Sequence, residues 1–486
     1  MTRRMLEELV TAFRREGPVI SAPSNEVVIT GVRGDSRAVM PGEVFCAVRG
    51  TQSDGHDFAA DAVARGASAI VAEHMLDVPV PVVIVSEGRT AARIAGETWY
   101  GRPADRLSLI GVTGTNGKTT TTALVRHLLN GGSTAGSIGT LGALDGKGSA
   151  VPSTAGTLTT PGPIDLQATL AEFVRRGTTH VVLEASSHSL DQGRLDGLHF
   201  AAAVFTNLSR DHLDYHASMD DYLHAKLRLS AHLGLDGVEV VNRDDAAWSA
   251  LPRRGRRVTF GLERGADVCA PTRELSAAGS RFLLEGRFGA SWAQVPLLGE
   301  FNISNALAAI ATAVALGVPL DRVVERLRHA PAVPGRMEVL TEHPCTVIRD
   351  YAHTPDALAR ALGALRPLTG GRLIALFGCG GDRDPGKRPM MGQVAATHAD
   401  YAVVTSDNPR REDPDRIIDD IERGMGNAPH RRITDRAEAI RTMLQEVEQG
   451  DVLVLAGKGH ETYQVIGTTK VDFDERRIVT EALRPA

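Results

Sequence analysis

The stretch Ile110-Gly111-Val112-Thr113-Gly114-Thr115-Asn116-Gly117-Lys118-Thr119-Thr120 decides how this chain is read. An apolar run ends in a loop of glycines and small polar residues, and a helical pattern over 121–129 follows. A loop placed between a strand and a helix aims backbone N–H groups and a helix N-terminus at an anion, and its glycines allow close approach of phosphate oxygens. Val112 stands where the usual G-x-x-x-x-G-K-[ST] spacing has its first glycine. Gly-Lys-Thr in register after a strand nevertheless outweighs a plain glycine turn. A nucleoside triphosphate is therefore expected here, with Lys118 against the β and γ oxygens and the Thr119 hydroxyl on Mg²⁺.

Outward from this loop, short apolar runs recur over 68–72, 82–85, 107–112, 180–183, 202–205, 238–241, 373–377, 401–404 and 452–455. Each is followed by small or polar residues and then a helical pattern, as in buried parallel strands covered by crossover helices. The class is α/β. At 486 residues the chain exceeds one core. Tyr100-Gly101-Arg102-Pro103 and Pro331-Ala332-Val333-Pro334-Gly335 mark breaks, the second after a helical stretch over 302–315 closed by Gly317. Three domains are expected: 1–100, 101–333 and 334–486.

A net charge of -5 argues against a nucleic-acid partner. Cys46, Cys269, Cys345 and Cys379 form no CxxC pair, which excludes a zinc site or disulfide framework and fits a reducing cytoplasm. The first 17 residues read as a short amphipathic helix and not a signal peptide, and no apolar run approaches a membrane span. A cytoplasmic protein without a membrane partner is expected, working as a monomer.

Two further strands end in chemically active residues. Glu184 lies where 181–183 emerges, placed to hold Mg²⁺ at the crevice edge, with Ser186 and His188 beyond it. The next strand runs into Thr206-Asn207-Leu208-Ser209-Arg210-Asp211-His212-Leu213-Asp214-Tyr215-His216. Taken singly, Glu184 is as well a helix cap and His188 a structural histidine. Three consecutive strands ending this way point to one shared site.

Gly114 to Thr120, Glu184 to His188 and Asn207 to His212 together resemble the Mur ligases, ATP-dependent amino-acid ligases of peptidoglycan precursor synthesis. The likeness continues through Tyr222-Leu223-His224-Ala225-Lys226, Gly299 to Asn305, Pro334 to Glu338 and Asp350 to Asp356, in the family's order. Asp35-Ser36-Arg37 with Gly50-Thr51-Gln52-Ser53-Asp54-Gly55 is similar to the uridine-binding part of the branch acting on UDP-N-acetylmuramoyl-L-alanyl-D-glutamate. Gly378 to Asp384 resembles that branch's C-terminal loop, and Asp407-Asn408-Pro409-Arg410 the signature that takes meso-diaminopimelate. Ser230 departs from the family, which usually carries phenylalanine there, and is expected to loosen packing behind Lys226.

The resemblance implies that 1–100 binds the UDP-linked substrate, that 101–333, a P-loop ATPase-like unit, binds ATP, and that 334–486, a Rossmann-like unit, binds the amino acid. It implies that ATP phosphorylates the glutamyl γ-carboxylate, and that the amine of meso-diaminopimelate attacks the acyl phosphate. Lys118, Lys226, His212 and His353 are then the catalytic candidates. Two Mg²⁺ ions would be held by Thr119, Glu184 and a carbamoylated Lys226, which by type alone is an ordinary helix lysine. Asn302, by type an N-cap, would lie near adenine, and Arg336, Asp350 and His353 would reach ATP on domain closure. Ser36, Thr159, Thr160, Ser186, Gln192 and Arg194 match positions that bind the UDP-sugar peptide.

Loops at the ends of C-terminal strands form the crevice of an open sheet, so 378–384, 406–410 and 457–461 should converge. Arg383 and Arg410 suit carboxylates, whereas Asp407, Asn408 and Glu461 suit ammonium groups, with Gly457 beside them. Competing readings are a Mur-type ligase using L-lysine or a secondary-metabolite acceptor, a folylpolyglutamate synthetase, and a non-catalytic ATP-binding module. The Asp35-Ser36-Arg37 segment speaks against folate, and intact Lys118, Glu184, Lys226 and His353 against lost catalysis.

Overall fold

The computed structural model describes residues 3–24, 26–50, 53–131, 134–153 and 158–484, so Thr51 and Gln52 of the motifs above lie outside the described residues. Three large sheets follow one another along the chain, with a two-stranded ribbon beside the first and another beside the third. The first has five strands, ordered Val19–Ser21, Val82–Val85, Ala69–Ala72, Glu43–Cys46 and Gly31–Arg33, parallel except for the first pair. Its core is closed by the amphipathic helix Leu6–Glu16 and the helix Gly88–Tyr100, and the latter packs on Pro163–Arg175 of the next unit.

The second sheet holds the phosphate-loop strand Ser108–Thr113 between His180–Glu184 and Phe200–Phe205, all parallel. Alternation divides these runs between two cores. Ile110, Val112, Val182, Ala202 and Val204 face the helices Lys118–Leu129 and Glu300–Ala315. Leu109, Val181, Leu183, Phe200, Ala203 and Phe205 face the opposite layer, which includes Leu166, Leu170 and Phe173. That two-sided burial is why the runs are apolar at every position. The sheet also extends into antiparallel strands Val268–Ser276, Gly279–Gly286 and Ser291–Val295 at one edge, which the expectation of parallel strands alone had not included.

The third sheet, Glu338–Thr341, Thr346–Asp350, Val452–Ala456, Leu373–Phe377, Tyr401–Val404 and His430–Arg432, is parallel apart from its first pair and likewise has a core on each face. Between the second and third sheets, Gly335 takes φ +67°, and a Cβ there would lie 2.1 Å from the His460 nitrogen. The linker therefore touches the backbone of the 457–461 loop. The four cysteines are buried and unpaired, and no described helix is long and apolar enough to cross a membrane.

Two local expectations change. The helix after the phosphate loop starts at Lys118, three residues earlier than its pattern suggested, because Gly117 at φ +84° turns the chain into it. Asn302 is not an N-cap: Gly299 occupies that place at φ +91°, and Asn302 lies inside the first turn, where its Nδ2 donates to Leu298 O at 2.8 Å.

Candidate active site

The strand ends of the central sheet and the start of the third unit enclose a cleft of about 920 Å³. On one wall the phosphate loop is fixed from below. Thr115 N donates to Asn207 O at 2.7 Å and Asn116 N to Asn207 Oδ1 at 2.9 Å. Gly117 admits no side chain, since a Cβ would sit 2.2 Å from Asn305 Oδ1. Asn305 in turn donates to Asn302 Oδ1 at 3.0 Å, so the Asn302 helix braces the loop while Asn302 itself stays off the cleft wall. Lys118 Nζ folds back onto Gly114 O at 2.9 Å and Thr115 O at 2.8 Å. Thr120 lines the cleft beside it.

Thr119 and Glu184 come together as expected, with the threonine hydroxyl donating to Glu184 Oε2 at 3.1 Å. Thr140, which sequence reasoning missed, completes the arrangement. Its amide donates to Glu184 Oε1 at 2.9 Å and its hydroxyl to Oε2 at 2.9 Å. Thr140 follows the strand Ala135–Gly139, whose small residues gave little apolar signal. A hydroxyl and a carboxylate suit Mg²⁺, which prefers oxygen and completes its shell with water and phosphate. The cradle that only glycine permits suits the phosphates. No group of three or more metal-ligating His, Cys, Asp or Glu exists among the described residues.

Lys226 is buried, 1% exposed, and its Nζ donates to Gly114 O at 2.7 Å while facing the Tyr222 ring at 4.3 Å. Burial, and next the charge of Lys118, push its ammonium well below the ordinary lysine range. Nearby, His188, His212 and His216 group with Tyr215 and Tyr222. His212 takes φ +55° and lies 3.4 Å from Asp211. Burial lowers its pKa more than Asp211 raises it, so the ring is neutral at pH 7. Asp211, not among the expected site residues, is also 3.9 Å from His353.

The third unit meets this wall directly. Arg336 donates to Thr119 Oγ1 at 3.0 Å and stacks over Tyr351 at 4.3 Å. Asp350 accepts from Met337 N and Ala352 N, so it shapes the turn that carries Arg336 and His353. Asp356 Oδ2 accepts from both Asn116 at 3.0 Å and Ser209 at 3.2 Å. These contacts place Arg336, Asp350 and His353 on the cleft.

Thr159, Thr160, Ser186, Arg194 and Arg383 also line the cleft. Arg194 donates to Thr160 O at 2.9 Å and to Gln192 Oε1 at 3.0 Å. Gln192 itself opens onto a second cavity of about 390 Å³ beside the helix Gly88–Tyr100. Ser36 begins a short turn in the first sheet's unit and lies on neither cavity.

The three C-terminal loops do converge, behind the cleft wall except at Arg383, which reaches it. Arg410, at φ +51°, donates to Gly381 O at 2.7 Å, while its own backbone pairs with Val465 and Gly467. Arg383, 47% exposed, points toward Asp214 at 3.8 Å. Asn408 donates to Glu461 Oε2 at 3.0 Å. Gly457 at φ +114° brings its loop against Asp407, whose Oδ1 is buried without a hydrogen-bond partner. Lys458, passed over within its glycine-rich run, lies at the centre of this junction. His212, Met337, Asp382 and Arg410, all non-glycine residues with positive φ, lie in loops of these two regions, where local strain commonly serves a site.

Comparison with known proteins covers all three units. Family models described as "Mur ligase family, catalytic domain", "Mur ligase middle domain" and "Mur ligase, glutamate ligase domain" match residues 28–98, 112–313 and 335–459. A UDP-N-acetylmuramoyl-L-alanyl-D-glutamate--2,6-diaminopimelate ligase of Geobacillus kaustophilus is 44% identical over 472 residues, covering 94% of this chain and 95% of that one. The ligase of the same name from Synechococcus elongatus is 45% identical over 473 residues, covering 94% of each. A solved structure under that name superposes at TM-score 0.62 with 36% identity over 94% of both chains. MurF from Acinetobacter baumannii, at 22% identity, TM-score 0.69 and coverage of 94% and 96%, shares the fold.

Proposed function

This chain belongs to the Mur ligase family, and from that premise we propose that it joins meso-2,6-diaminopimelate to UDP-N-acetylmuramoyl-L-alanyl-D-glutamate in an ATP-dependent amide ligation of peptidoglycan precursor synthesis. The observation that carries this reading is the full-length likeness to ligases printed under that activity. The division 1–100, 101–333 and 334–486 into UDP-substrate, ATP and amino-acid units is supported by one large sheet forming within each.

A carboxylate is a poor electrophile, so its oxygen must first become a leaving group. Phosphorylation by ATP does this, and Mg²⁺ would offset the charge of the two anions that meet. The chain's part is positional. Gly114 to Thr120 would hold the phosphates, Lys118 leaving its two carbonyls to meet the transferring group. Thr119 and Glu184 would hold the first Mg²⁺, and Lys226, once carbamoylated, the second. Asn302 would lie near adenine, behind Asn305. Arg336, Asp350, His212 and His353 would close the cleft over the reacting carboxylate and keep out water, which otherwise hydrolyses an acyl phosphate. Thr159, Thr160, Ser186, Gln192 and Arg194, with Ser36 farther off, would hold the UDP-linked dipeptide. The incoming amine would be seated by Arg383, Asp407, Asn408, Arg410, Gly457 and Glu461 and lose a proton as the tetrahedral adduct collapses to amide and phosphate. Such a reaction needs no membrane or nucleic-acid partner and suits the cytoplasm.

Phosphate release with the UDP-dipeptide and a panel of amines tests the proposal. Release with meso-diaminopimelate in preference to L-lysine supports it. Equal or greater release with lysine, or with another acceptor, replaces the substrate while leaving the ligase chemistry intact.

A further inference from the structure

We propose that Lys458 is a positioning residue of the amino-acid pocket, fixing Asn408 and Glu461 so that the free carboxylate oxygens of Glu461 and Asp407 receive the ammonium end of the incoming amine. The inference rests on the reading of these loops as that pocket.

Lys458 is 0% exposed, a place where lysine is tolerated only when paired. Its Nζ donates to Asn408 Oδ1 at 2.9 Å and Glu461 Oε2 at 2.8 Å, lies 3.7 Å from Asp407 Oδ1, and sits 5.4 Å above the Tyr463 ring. One side chain thus joins the loop after Tyr401–Val404 to the loop after Val452–Ala456. Asn408 Oδ1 also accepts from Val465 N at 2.9 Å, so both its acceptor sites are filled and the amide can only turn Nδ2 toward Glu461. Glu461 Oε2 thereby takes two donors. Its Oε1 has no protein donor among the described residues, and neither has the buried Asp407 Oδ1. Two carboxylate oxygens without protein donors, held in place by one buried cation, are what a ligand ammonium requires.

Charge follows the same geometry. Burial alone would raise the Glu461 carboxyl, but Lys458 and Asn408 outweigh it and hold Glu461 below the usual range. The other groups acting on this pair are Asp407, His460, Arg410, Tyr351, Tyr463 and Glu475, and none donates a hydrogen bond to Glu461. Without Lys458, burial prevails and Glu461 takes up a proton nearer neutrality.

Amine-dependent phosphate release by the full-length enzyme should be followed for Lys458→Met, Lys458→Gln and Glu461→Gln, each checked for folding by thermal melting. In both Lys458 variants the KM for the amine should rise about tenfold or more, with the ATP KM within about twofold of wild type. The acid limb of amine binding should move toward neutral pH in both, because glutamine restores a donor but no charge. Should the methionine variant not fold, the glutamine variant supplies the same two readings. An unchanged amine KM and acid limb, or a parallel rise in ATP KM, overturns the inference. If Glu461→Gln also leaves the amine KM unchanged, the pocket reading itself fails; if Glu461→Gln raises it while the Lys458 variants do not, only the role of Lys458 fails.

Discussion

Lys118 and Lys226 donate to the same backbone carbonyl, that of Gly114, at 2.9 and 2.7 Å. Two ammonium groups on one oxygen repel, and the deeper of them, Lys226, gives way first. Burial, and then the neighbouring Lys118, push its pKa down, so the fraction present as free amine at neutral pH is far above that of an exposed lysine.

A neutral amine is the form that adds carbon dioxide. In bicarbonate-containing buffer, intact-mass analysis of the active enzyme should show one carbon dioxide adduct, absent from Lys226→Ala. Activity of that variant should fall by about a hundredfold or more, the scale of losing a charge-stabilising group. A fully active preparation carrying only free Lys226 would defeat the carbamate.

Arg410 is held by its bond to Gly381 O and by backbone pairing with Val465, so its half-buried guanidinium is set in place before any ligand arrives. meso-Diaminopimelate differs from lysine by a carboxylate, and a lysine side chain would leave this cation unmatched. A buried charge without its partner costs about 3–5 kcal/mol, enough for at least about a hundredfold discrimination. Arg410→Ala should therefore erase most of the preference between the two amino acids with little change in the ATP KM. Competition assays with both amines measure it, and a preserved preference would remove Arg410 from the specificity pocket.

His188 is pushed down to about 4, first by burial and then by His216. In the unfolded chain it titrates near its ordinary value of about 6.5. Between those values the unfolded state binds the extra proton, so this residue's share of stability is complete above about pH 6.5 and is lost as pH falls toward about 4. Urea midpoints across that range should drop with acid, and the drop should be shallower in His188→Gln. Parallel curves for the two proteins would assign the acid sensitivity elsewhere.

Ser230 was expected to loosen packing, yet its hydroxyl donates to Glu239 Oε1 at 2.6 Å, and both residues are buried. Glu239 also pairs with Arg257 at 2.7 Å. Ser230→Ala removes one partner of a buried carboxylate, a loss of about 1–3 kcal/mol. Ser230→Phe adds bulk in place of that bond and should destabilise further. Denaturant titration decides it; a Ser230→Phe protein as stable as wild type would mean the site readily accepts the larger residue.

Reading from sequence succeeded where a strand is a continuous apolar run and failed where small or charged residues interrupt it. Leu373–Phe377 and Tyr401–Val404 were legible to the residue because every position is apolar. The strands Val268–Ser276 and Gly279–Gly286 mix arginine and glutamate with apolar residues on a half-exposed edge, so no apolar run marked them. Within the site, Lys118, Thr119 and Glu184 follow strands whose ends can be foreseen. Thr140 and Lys458 owe their places to contacts between loops far apart in sequence, and no spacing along the chain encodes that meeting.

Gly335 gives the linker a further consequence. Its missing side chain lets the linker rest against the backbone of Gly459 and His460, so any rotation of the C-terminal unit about this linker would be geared to the posture of the 457–461 loop. Gearing of this kind runs in both directions: whatever binding the amine contributes to shutting the molecule, shutting it returns to the amine as affinity. A larger residue at this position would act as a wedge, uncoupling the two without touching either substrate.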